Sequence, residues 1–202
     1  MGNLQTIKRS ELVENKAEGL NFHGFMINSM INGNKTHTCR KYKLYGARGK
    51  DRFYPGRIMY ARETAYIHPE TKEIQYAANF DIALKDVAAL KAKGFQPINT
   101  IYMRRSLARL AIRISDVSVK KVQDLTHEER LAEGIAVKMI DGFNNYLDYE
   151  MHFYKYSAKT LGNHKASLLS FKSLWCKVNN LDSWDDNQPV WSLYFEPLII
   201  ID

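Results

Sequence analysis

The sequence predicts an α+β fold, in which a small, curved and mainly antiparallel β-barrel carries flanking helices. Two observations favour this class. Residues 110–115 alternate large aliphatic side chains with small or polar ones, a period of two that is typical of a half-buried strand. Residues 164–178 instead place large apolar side chains at helical spacing, so that one face of a helix would join the core. Strands and helices of this kind are expected to pack as layers around one core.

Along the first half of the chain, turn residues and apolar spacing predict the elements. Residues 6–17 are polar and predict a strand followed by a loop. Gly33 favours the left-handed conformation just past a helix, so the apolar run 22–32 is predicted to be helical. Residues 34–56 are basic and aromatic with several glycines, which indicates a long surface loop. The segments that follow are predicted as a strand at 57–67, a hairpin-like excursion at 68–80, a helix at 84–93 and a strand at 97–103.

In the second half, the period-two strand is predicted to extend over 110–122. Thr126 and Glu129 have the spacing of a capping box, which predicts a short helix that ends at Gly134. Residues 136–162 are rich in tyrosine and phenylalanine and are predicted to be irregular, as a lid or a dimer surface. The remaining segments are predicted as a helix at 164–178, a loop at 179–189 and a central strand at 190–201, which is apolar on both faces.

Length and composition indicate one domain with a sizeable core, since 45% of the 202 residues are hydrophobic and 12% are aromatic. The net charge of +7 favours anionic partners such as RNA, DNA, nucleotides or a membrane surface, or else serves solubility alone. The two cysteines are far apart and the six histidines are scattered, so no metal and no cofactor are expected. Neither a signal peptide nor an apolar run of membrane-spanning length is found. A cytoplasmic location without a membrane partner is therefore expected, and the oligomeric state stays open.

The densest group of chemically active side chains occupies one stretch, which reads Gly33-Asn34-Lys35-Thr36-His37-Thr38-Cys39-Arg40. In an extended chain, the odd-numbered side chains from Lys35 to Cys39 would point to one side and the even-numbered ones to the other. A tight turn would instead gather Lys35, Thr38 and Arg40 around a small anionic or polar ligand. Lysine would then be a mobile point charge and arginine a fixed fork for phosphate or carbonyl oxygens. The alternative is a solvated loop.

The order of several motifs resembles ASCH-domain proteins, a branch of the PUA-like superfamily, and above all the uncharacterised ones common in phages and prophages. The family signature is Gly-x-Lys-x-x-Glu-x-Arg, and four residues stand at that spacing: Gly33, Lys35, Thr38 and Arg40. Further pieces follow in the family's order over most of the chain: 56–63 with Arg62-Glu63, then Met103, Arg105 and Arg109, then 122–126 with 132–135, then 170–175, and finally 189–191 with 195–196. The resemblance implies a single ASCH/PUA-like domain over 1–202, with insertions around 66–97 and 136–162.

Four positions depart from the family pattern. Arg57, Arg104 and Ala108 stand where Asp, Pro and Ser are usual, which would alter the polarity of the pocket. Thr38 replaces the signature Glu, and in this the chain is similar to amidohydrolases of the superfamily that remove the acetyl group from N4-acetylcytidine. The catalytic residues that this similarity implies are Lys35, Thr38 and Glu133.

In such a set, Thr38 would attack the acyl carbonyl after a desolvated Lys35 takes its proton, and Glu133 would protonate the leaving amine. Arg40 would hold a phosphate or polarise the oxyanion. The residues for which the resemblance implies contacts with a nucleic acid or nucleotide are Gly33, Arg40, Arg62, Glu63, Arg105 and Arg109.

The residues by themselves suggest plainer roles. Glu133 would be a solvated carboxylate at a helix end beside Gly134, and Arg105 and Arg109 would be surface charges. The pair Arg62-Glu63 would be either a cross-strand salt bridge or part of a polar pocket.

Three functions follow from these considerations. The first is an RNA- or modified-nucleobase-binding protein that uses a basic cleft at residues 33–40, with aromatic residues for stacking. The second is an amidohydrolase that removes an acyl group from N4-acylated cytidine. The third is a ribonuclease, which the resemblance to some ASCH ribonucleases implies. The expected partner is RNA or a modified nucleoside or nucleotide, in the host cytoplasm if the protein is phage-encoded.

Overall fold

The computed structural model describes residues 4–79, 84–180 and 182–202. The chain is a mixed α+β protein, with 38% helix and 36% strand, so neither type dominates. The helices are α1 (Arg9–Glu14), α2 (Gly24–Ile31), α3 (Tyr42–Tyr45), α4 (Gly49–Arg52), α5 (Leu84–Ala92), α6 (His127–Ala132), α7 (Ala158–Leu161), α8 (Asn163–Asn179) and α9 (Asp182–Asp185). The strands are β1 (Gln5–Lys8), β2 (Glu18–Asn21), β3 (His37–Lys41), β4 (Ile58–Arg62), β5 (Ala65–Ile67), β6 (Ile74–Tyr76), β7 (Gln96–Ile98), β8 (Leu110–Lys121), β9 (Val137–Ile140), β10 (Phe143–Asp148), β11 (Phe153–Ser157) and β12 (Pro189–Ile201).

The chain divides into two compact units, each of which draws on separate stretches of sequence. The first unit takes its described residues from Met1–Gly33, Pro55–Ser115 and Phe195–Asp202. Its main sheet has the strand order β1–β12–β8–β4–β2, with β1 parallel to β12, β2 parallel to β4, and β4 antiparallel to β8. A smaller antiparallel sheet has the order β6–β5–β7. The apolar core of this unit includes Leu12, Ala111 and Leu198, whose side chains are fully buried.

The second unit takes its described residues from Asn34–Tyr54 and Asp116–Tyr194. Here β3 pairs antiparallel with the first half of β12, while β9, β10 and β11 form an antiparallel meander. Helix α8 packs on the meander, because Ser170 Oγ donates to the Leu147 carbonyl and the Tyr149 N–H donates to Ser173 Oγ. The buried Arg130 of α6 donates to Ser167 Oγ of α8, which joins these two helices.

Several elements agree with the sequence-based predictions. The apolar run at 22–32 forms α2, the period-two strand forms β8, and the segment 164–178 forms α8. The capping box is confirmed at α6, where Thr126 Oγ1 accepts from the Glu129 N–H and the Glu129 carboxylate accepts from the Thr126 N–H. These elements share strong local signals, which are apolar spacing over a long run or side-chain capping of a helix end.

The predictions for three segments, 6–17, 34–56 and 136–162, were wrong. Residues 34–56 do not form one long surface loop, because they contain β3, α3 and α4. Residues 136–162 are not irregular but form the meander and α7; Met139 and Phe143 are exposed, whereas Tyr146 and Tyr149 are buried. The segment 6–17, predicted as a strand and a loop, contains β1 and helix α1.

The sheets also differ from the predicted barrel. None of the sheets that the described residues form closes on itself. In the largest one, the order runs from β1 to β2, and these two end strands are only four residues long. Residues 80–83 of the first proposed insertion, of which residue 80 also ends the predicted excursion, lie outside the described residues, as does residue 181 of the predicted loop.

Candidate functional site

One face of β3, together with the residue two positions before it, carries buried polar side chains. Lys35, His37 and Cys39 are 0%, 0% and 6% exposed. They alternate along the chain and lie on the same side, as expected for an extended segment rather than for a tight turn. Gly33 precedes them with a φ of 75°, a left-handed conformation that glycine adopts without strain. The backbone therefore turns at the end of α2 before it enters β3.

The ammonium group of Lys35 is the centre of this cluster. Its Nζ donates to Glu133 Oε2 at 2.5 Å, to the Glu133 carbonyl at 2.8 Å and to the His37 carbonyl at 2.9 Å. Three acceptors match the three N–H bonds of an ammonium. Every donor of a protonated Lys35 is therefore used, and its side chain is fully buried.

Helix α6 brings Glu133 to this point. The capping box starts the helix at Thr126, and its C-terminal residue Glu133 donates its N–H to the Glu129 carbonyl. Gly134 then leaves the helix with a φ of 82°. The Thr36 N–H donates to the Ala132 carbonyl, which anchors the helix end on the segment that leads into β3. The expectation of a solvated carboxylate was wrong, because Glu133 is only 5% exposed.

Burial has the largest influence on both charges of the pair. It lowers the pKa of the Lys35 amine, and the Glu133 carboxylate offsets only part of that effect. Burial by itself would raise the pKa of the Glu133 carboxyl, but Lys35 and then His37 outweigh it and hold that pKa well below its usual range. The low pKa of Glu133 and the three acceptors around Lys35 Nζ are those of a buried ion pair between a carboxylate and an ammonium group.

His37 lies beside the pair and is oriented from the neighbouring strand. Its Nε2 is 2.7 Å from Ser192 Oγ of β12, and its ring makes an edge contact with Tyr194 at a centroid distance of 4.8 Å. Its Nδ1 lies 3.6 Å from Glu133 Oε1, slightly beyond hydrogen-bond distance, and has no hydrogen-bond partner among the described residues. The imidazole therefore directs one nitrogen at the carboxylate without bonding to it.

Cys39 completes the cluster. Its N–H donates to Glu133 Oε1 at 2.5 Å. Burial, and after it the Glu133 carboxylate, raises the pKa of the Cys39 thiol well above its usual value. The side chains of His37, Cys39 and Glu133 also offer three atoms, all within 4.8 Å of one another, that are capable of ligating a metal ion. The cluster thus brings together an amine, an imidazole, a thiol and a carboxylate, all of them on buried side chains.

The even-numbered residues of the motif lie on the other face of β3. Thr38 pairs with Leu193 of β12 and is 1% exposed. Within the described residues, no hydrogen bond joins Thr38 to Lys35 or to Glu133. Arg40 is half-buried and its Nη1 donates to the Cys39 carbonyl at 3.2 Å. Of the three residues that the resemblance implies for catalysis, Lys35 and Glu133 are in contact. Thr38 lies on the opposite face of β3.

The remaining predicted site residues belong to the first unit. Glu63 is 1% exposed and accepts two hydrogen bonds from Arg109, at 2.7 and 2.9 Å. Arg109 also donates to Asn79 Oδ1 and its guanidinium lies over the Tyr76 ring at 4.4 Å. Arg109 is therefore engaged by its own unit rather than a bare surface charge, and Glu63 forms its salt bridge with this arginine, 46 positions further along the chain.

Arg62 and Arg105 are engaged in the same unit in other ways. Arg62 donates twice to Tyr60 Oη, at 3.2 and 3.0 Å, and its side chain passes so close to Gly19 that a Cβ there would clash with it. Arg105 Nη1 donates to the Leu12 carbonyl at 3.0 Å. Gly33 supplies a turn, as described above. The nucleotide contacts proposed for these residues stay predictions.

His37, Cys39 and Ser192 were not among the predicted site residues. The alternation of residues 35–39 did indicate that His37 and Cys39 share a face with Lys35, and this signal was available. Ser192 had no such signal, because it lies in a strand whose apolar faces indicated only a core role.

Comparison of the chain with protein-family models, with curated proteins and with solved structures found no match. No helix of the described residues is long and apolar enough to cross a membrane.

Proposed function

We propose that this chain is an amidohydrolase of the ASCH, PUA-like type that removes an acyl group from the N4 amine of a cytidine. The observation that supports this proposal is the 2.5 Å contact between Lys35 Nζ and Glu133 Oε2. The family resemblance assigned these two residues to one catalytic set although 98 positions separate them. Contact between them is what the assignment requires, and neither residue's local sequence demands it.

The chemistry of the pair suits amide hydrolysis. Transfer of one proton along the hydrogen bond from Nζ to Oε2 converts the ion pair into a neutral amine and a carboxylic acid. These are the forms that the reaction uses: Lys35 as the proton acceptor and Glu133 as the donor to the leaving amine. Burial favours the neutral pair over the charged one, and this lowers the cost of that transfer.

The nucleophile is assigned to Thr38 by the resemblance alone. Its hydroxyl attacks the acyl carbon, its proton passes to Lys35, the C–N bond breaks, and the amine leaves with the proton of Glu133. Water then hydrolyses the acyl ester of Thr38, which releases the carboxylic acid, restores the hydroxyl and leaves Lys35 and Glu133 as the ion pair. Thr38 and Lys35 lie on opposite faces of β3 in this structure, so the flexible four-carbon stem of Lys35 must swing to reach Thr38. A water molecule on the Lys35 side is the other nucleophile that the pair can activate.

The test is incubation of the purified protein with N4-acetylcytidine and chromatographic detection of cytidine and acetate. Turnover by the wild type and its loss in Glu133→Gln would support the proposal, whereas no turnover by the wild type would refute it. Thr38→Val separates the two nucleophiles, because loss of turnover assigns the attack to Thr38 and retained turnover assigns it to water. Glu150→Gln, at an exposed carboxylate, is the matched control.

The second candidate is an RNA- or nucleobase-binding protein without turnover, and one observation favours it. Tyr42 stacks on Trp191 of β12 at a centroid distance of 5.4 Å and an interplanar angle of 22°. Tyr42 belongs to the segment 40–52, which carries six basic residues and one acidic residue. Aromatic rings amid lysines and arginines suit stacking of bases with contact to phosphates. The ribonuclease alternative stays a prediction, since no contact in the cluster favours it over the other two.

A further inference from the structure

The face of β3 that holds Lys35 also carries two residues that the proposed hydrolysis does not use, His37 and Cys39, and both lie next to Glu133, which it does use. His37 and Cys39 stand two positions apart on one strand, and Glu133 approaches them from the end of α6. One ligand atom from each of the three lies within 4.8 Å of the other two, and all three residues are buried. Their side chains are an imidazole, a thiol and a carboxylate, the three ligand types that zinc takes from proteins.

The unpaired nitrogen of His37 is the second observation. His37 is fully buried and its Nε2 is satisfied by Ser192 Oγ at 2.7 Å, while its Nδ1 finds no hydrogen-bond partner in the part of the chain that the structure describes. Buried polar atoms are almost always bonded, so an unbonded ring nitrogen needs a reason. When Nε2 carries the ring proton, Nδ1 is an acceptor that faces another acceptor, Glu133 Oε1, at 3.6 Å. Two acceptors aimed at each other across such a gap are suited to a cation between them.

We propose that His37 Nδ1, Cys39 Sγ and Glu133 Oε1 form a zinc-binding site. The 3.6 Å between Nδ1 and Oε1 fits two ligands of one tetrahedral ion, for which metal–ligand lengths of about 2.0–2.2 Å give a separation of roughly 3.3–3.6 Å. The ligand pair that is furthest apart, at up to 4.8 Å, must close by about 1 Å. The fourth position is left for water, as in sites with three protein ligands.

The surroundings of the three ligands agree with this site. Lys35 bonds to the other carboxylate oxygen, Oε2, so Oε1, which accepts from the Cys39 N–H at 2.5 Å, keeps a second lone pair for a metal ion on its His37 side. Ser192 holds the second ring nitrogen of His37, as oxygen partners do for histidines that bind metals. The thiol and the imidazole favour zinc over magnesium or calcium, which prefer oxygen ligands. On binding, the proton of the Cys39 thiol is released to solvent and the thiolate bonds to the metal.

This inference does not rest on the proposed hydrolase function, and its test uses no substrate. The full chain is stripped with a chelator and titrated with Co²⁺, which reports thiolate coordination through a charge-transfer absorption in the near ultraviolet, and with Zn²⁺ against a chromophoric chelator. One equivalent of either metal is expected, with the thiolate band present and Zn²⁺ displacing Co²⁺. Absence of binding by the wild type, or bound Co²⁺ without the thiolate band, would overturn the proposal without any variant.

Variants then identify the ligands. Cys39→Ser should abolish the thiolate band, while Cys176→Ser, at the other buried cysteine, should leave it unchanged. Ser192→Ala should weaken zinc binding by roughly 10- to 100-fold, and His37→Ala by more, because a ligand is lost rather than its support. A band that survives Cys39→Ser or vanishes in Cys176→Ser would overturn the assignment. Circular dichroism of each variant shows that it is folded before the titration.

Discussion

Lys35 Nζ and Glu133 Oε2 lie 2.5 Å apart, in a place where the lysine is 0% exposed and the glutamate 5%. Such a pair is costly to assemble, because both ions lose their hydration, and it is more costly to break, because the remaining ion is left buried and unpaired. The pair therefore has a measurable signature in stability as well as a proposed role in catalysis.

Removal of one partner of this pair should destabilise the fold strongly. Lys35→Met and Glu133→Gln are each expected to lower the free energy of unfolding by about 3–5 kcal/mol, as measured by urea denaturation. The double variant should lose clearly less than the sum of the two, since no unpaired charge remains. Additive losses would mean that the two groups do not interact. Glu196→Gln is a matched control, because its salt bridge with Arg113 is exposed and should contribute less than about 1 kcal/mol.

Acid should remove the contribution of Glu133 to stability. The pKa of its carboxyl is lower in the folded state than the value of about 4.3 in the unfolded chain, so the unfolded state binds more protons between these two values. The contribution is then complete above about pH 4.3 and is lost as the pH falls below it. Urea denaturation from pH 7 down to pH 3 should show the gap between wild type and Glu133→Gln narrowing in acid. A gap that is constant or widens would contradict the lowered pKa.

The pair of Glu63 and Arg109 should behave as a structural ion pair of the first unit. Glu63 is 1% exposed and Arg109 is 24% exposed, so Arg109→Met leaves a buried carboxylate without its partner. We expect a loss of about 2 kcal/mol or more, somewhat reduced by the partial exposure of the arginine. Arg113→Met, at a pair in which both side chains are more exposed, should cost less than about 1 kcal/mol. Equal losses in thermal or urea denaturation would show that the burial of Glu63 does not matter.

If the chain binds RNA, the basic segment at 40–52 should contribute through phosphate contacts. Lys43 and Lys50 are exposed lysines of this segment, and replacing both with glutamine should reduce the slope of log K against log salt by about two. Replacement of Lys91 and Lys93, which are exposed in the first unit, should leave the slope unchanged. Filter binding or fluorescence anisotropy of single-stranded RNA over a range of salt concentrations measures the slope. Equal slopes for both double variants would place the RNA elsewhere.

Part of the site could be predicted from the sequence because its signals are local. Thr126, Glu129 and Gly134 fix the start and end of α6, and so the position of Glu133 in the helix. The alternation of Lys35, His37 and Cys39 fixes the face of β3 on which they lie. The family resemblance put Lys35 and Glu133 in one catalytic set, but neither it nor any pattern in the residues predicted that the two side chains bond to each other.

The rest could not be predicted, for reasons that are physical. A carboxylate at a helix end beside glycine is usually solvated, and only a partner 98 positions away reverses that for Glu133. Residues 34–41 lack the apolar character by which a buried strand is recognised, since their buried side chains include Lys35, His37 and Thr38. Strands β9 and β11 contain no buried residue, and β10 buries Asn145, Tyr146 and Asp148 without a regular alternation, so their sequences do not show the period of two that marks a half-buried strand.

Deacetylation of N4-acetylcytidine by the wild type and by Lys35→Ala, followed by chromatography, tests the central claim most directly. Lys138→Ala, which removes an exposed lysine of β9 in the same unit, is the matched control. The account predicts conversion to cytidine by the wild type and the control, and a rate at least about a hundredfold lower in Lys35→Ala. Equal rates for all three, or no conversion by the wild type, would contradict it.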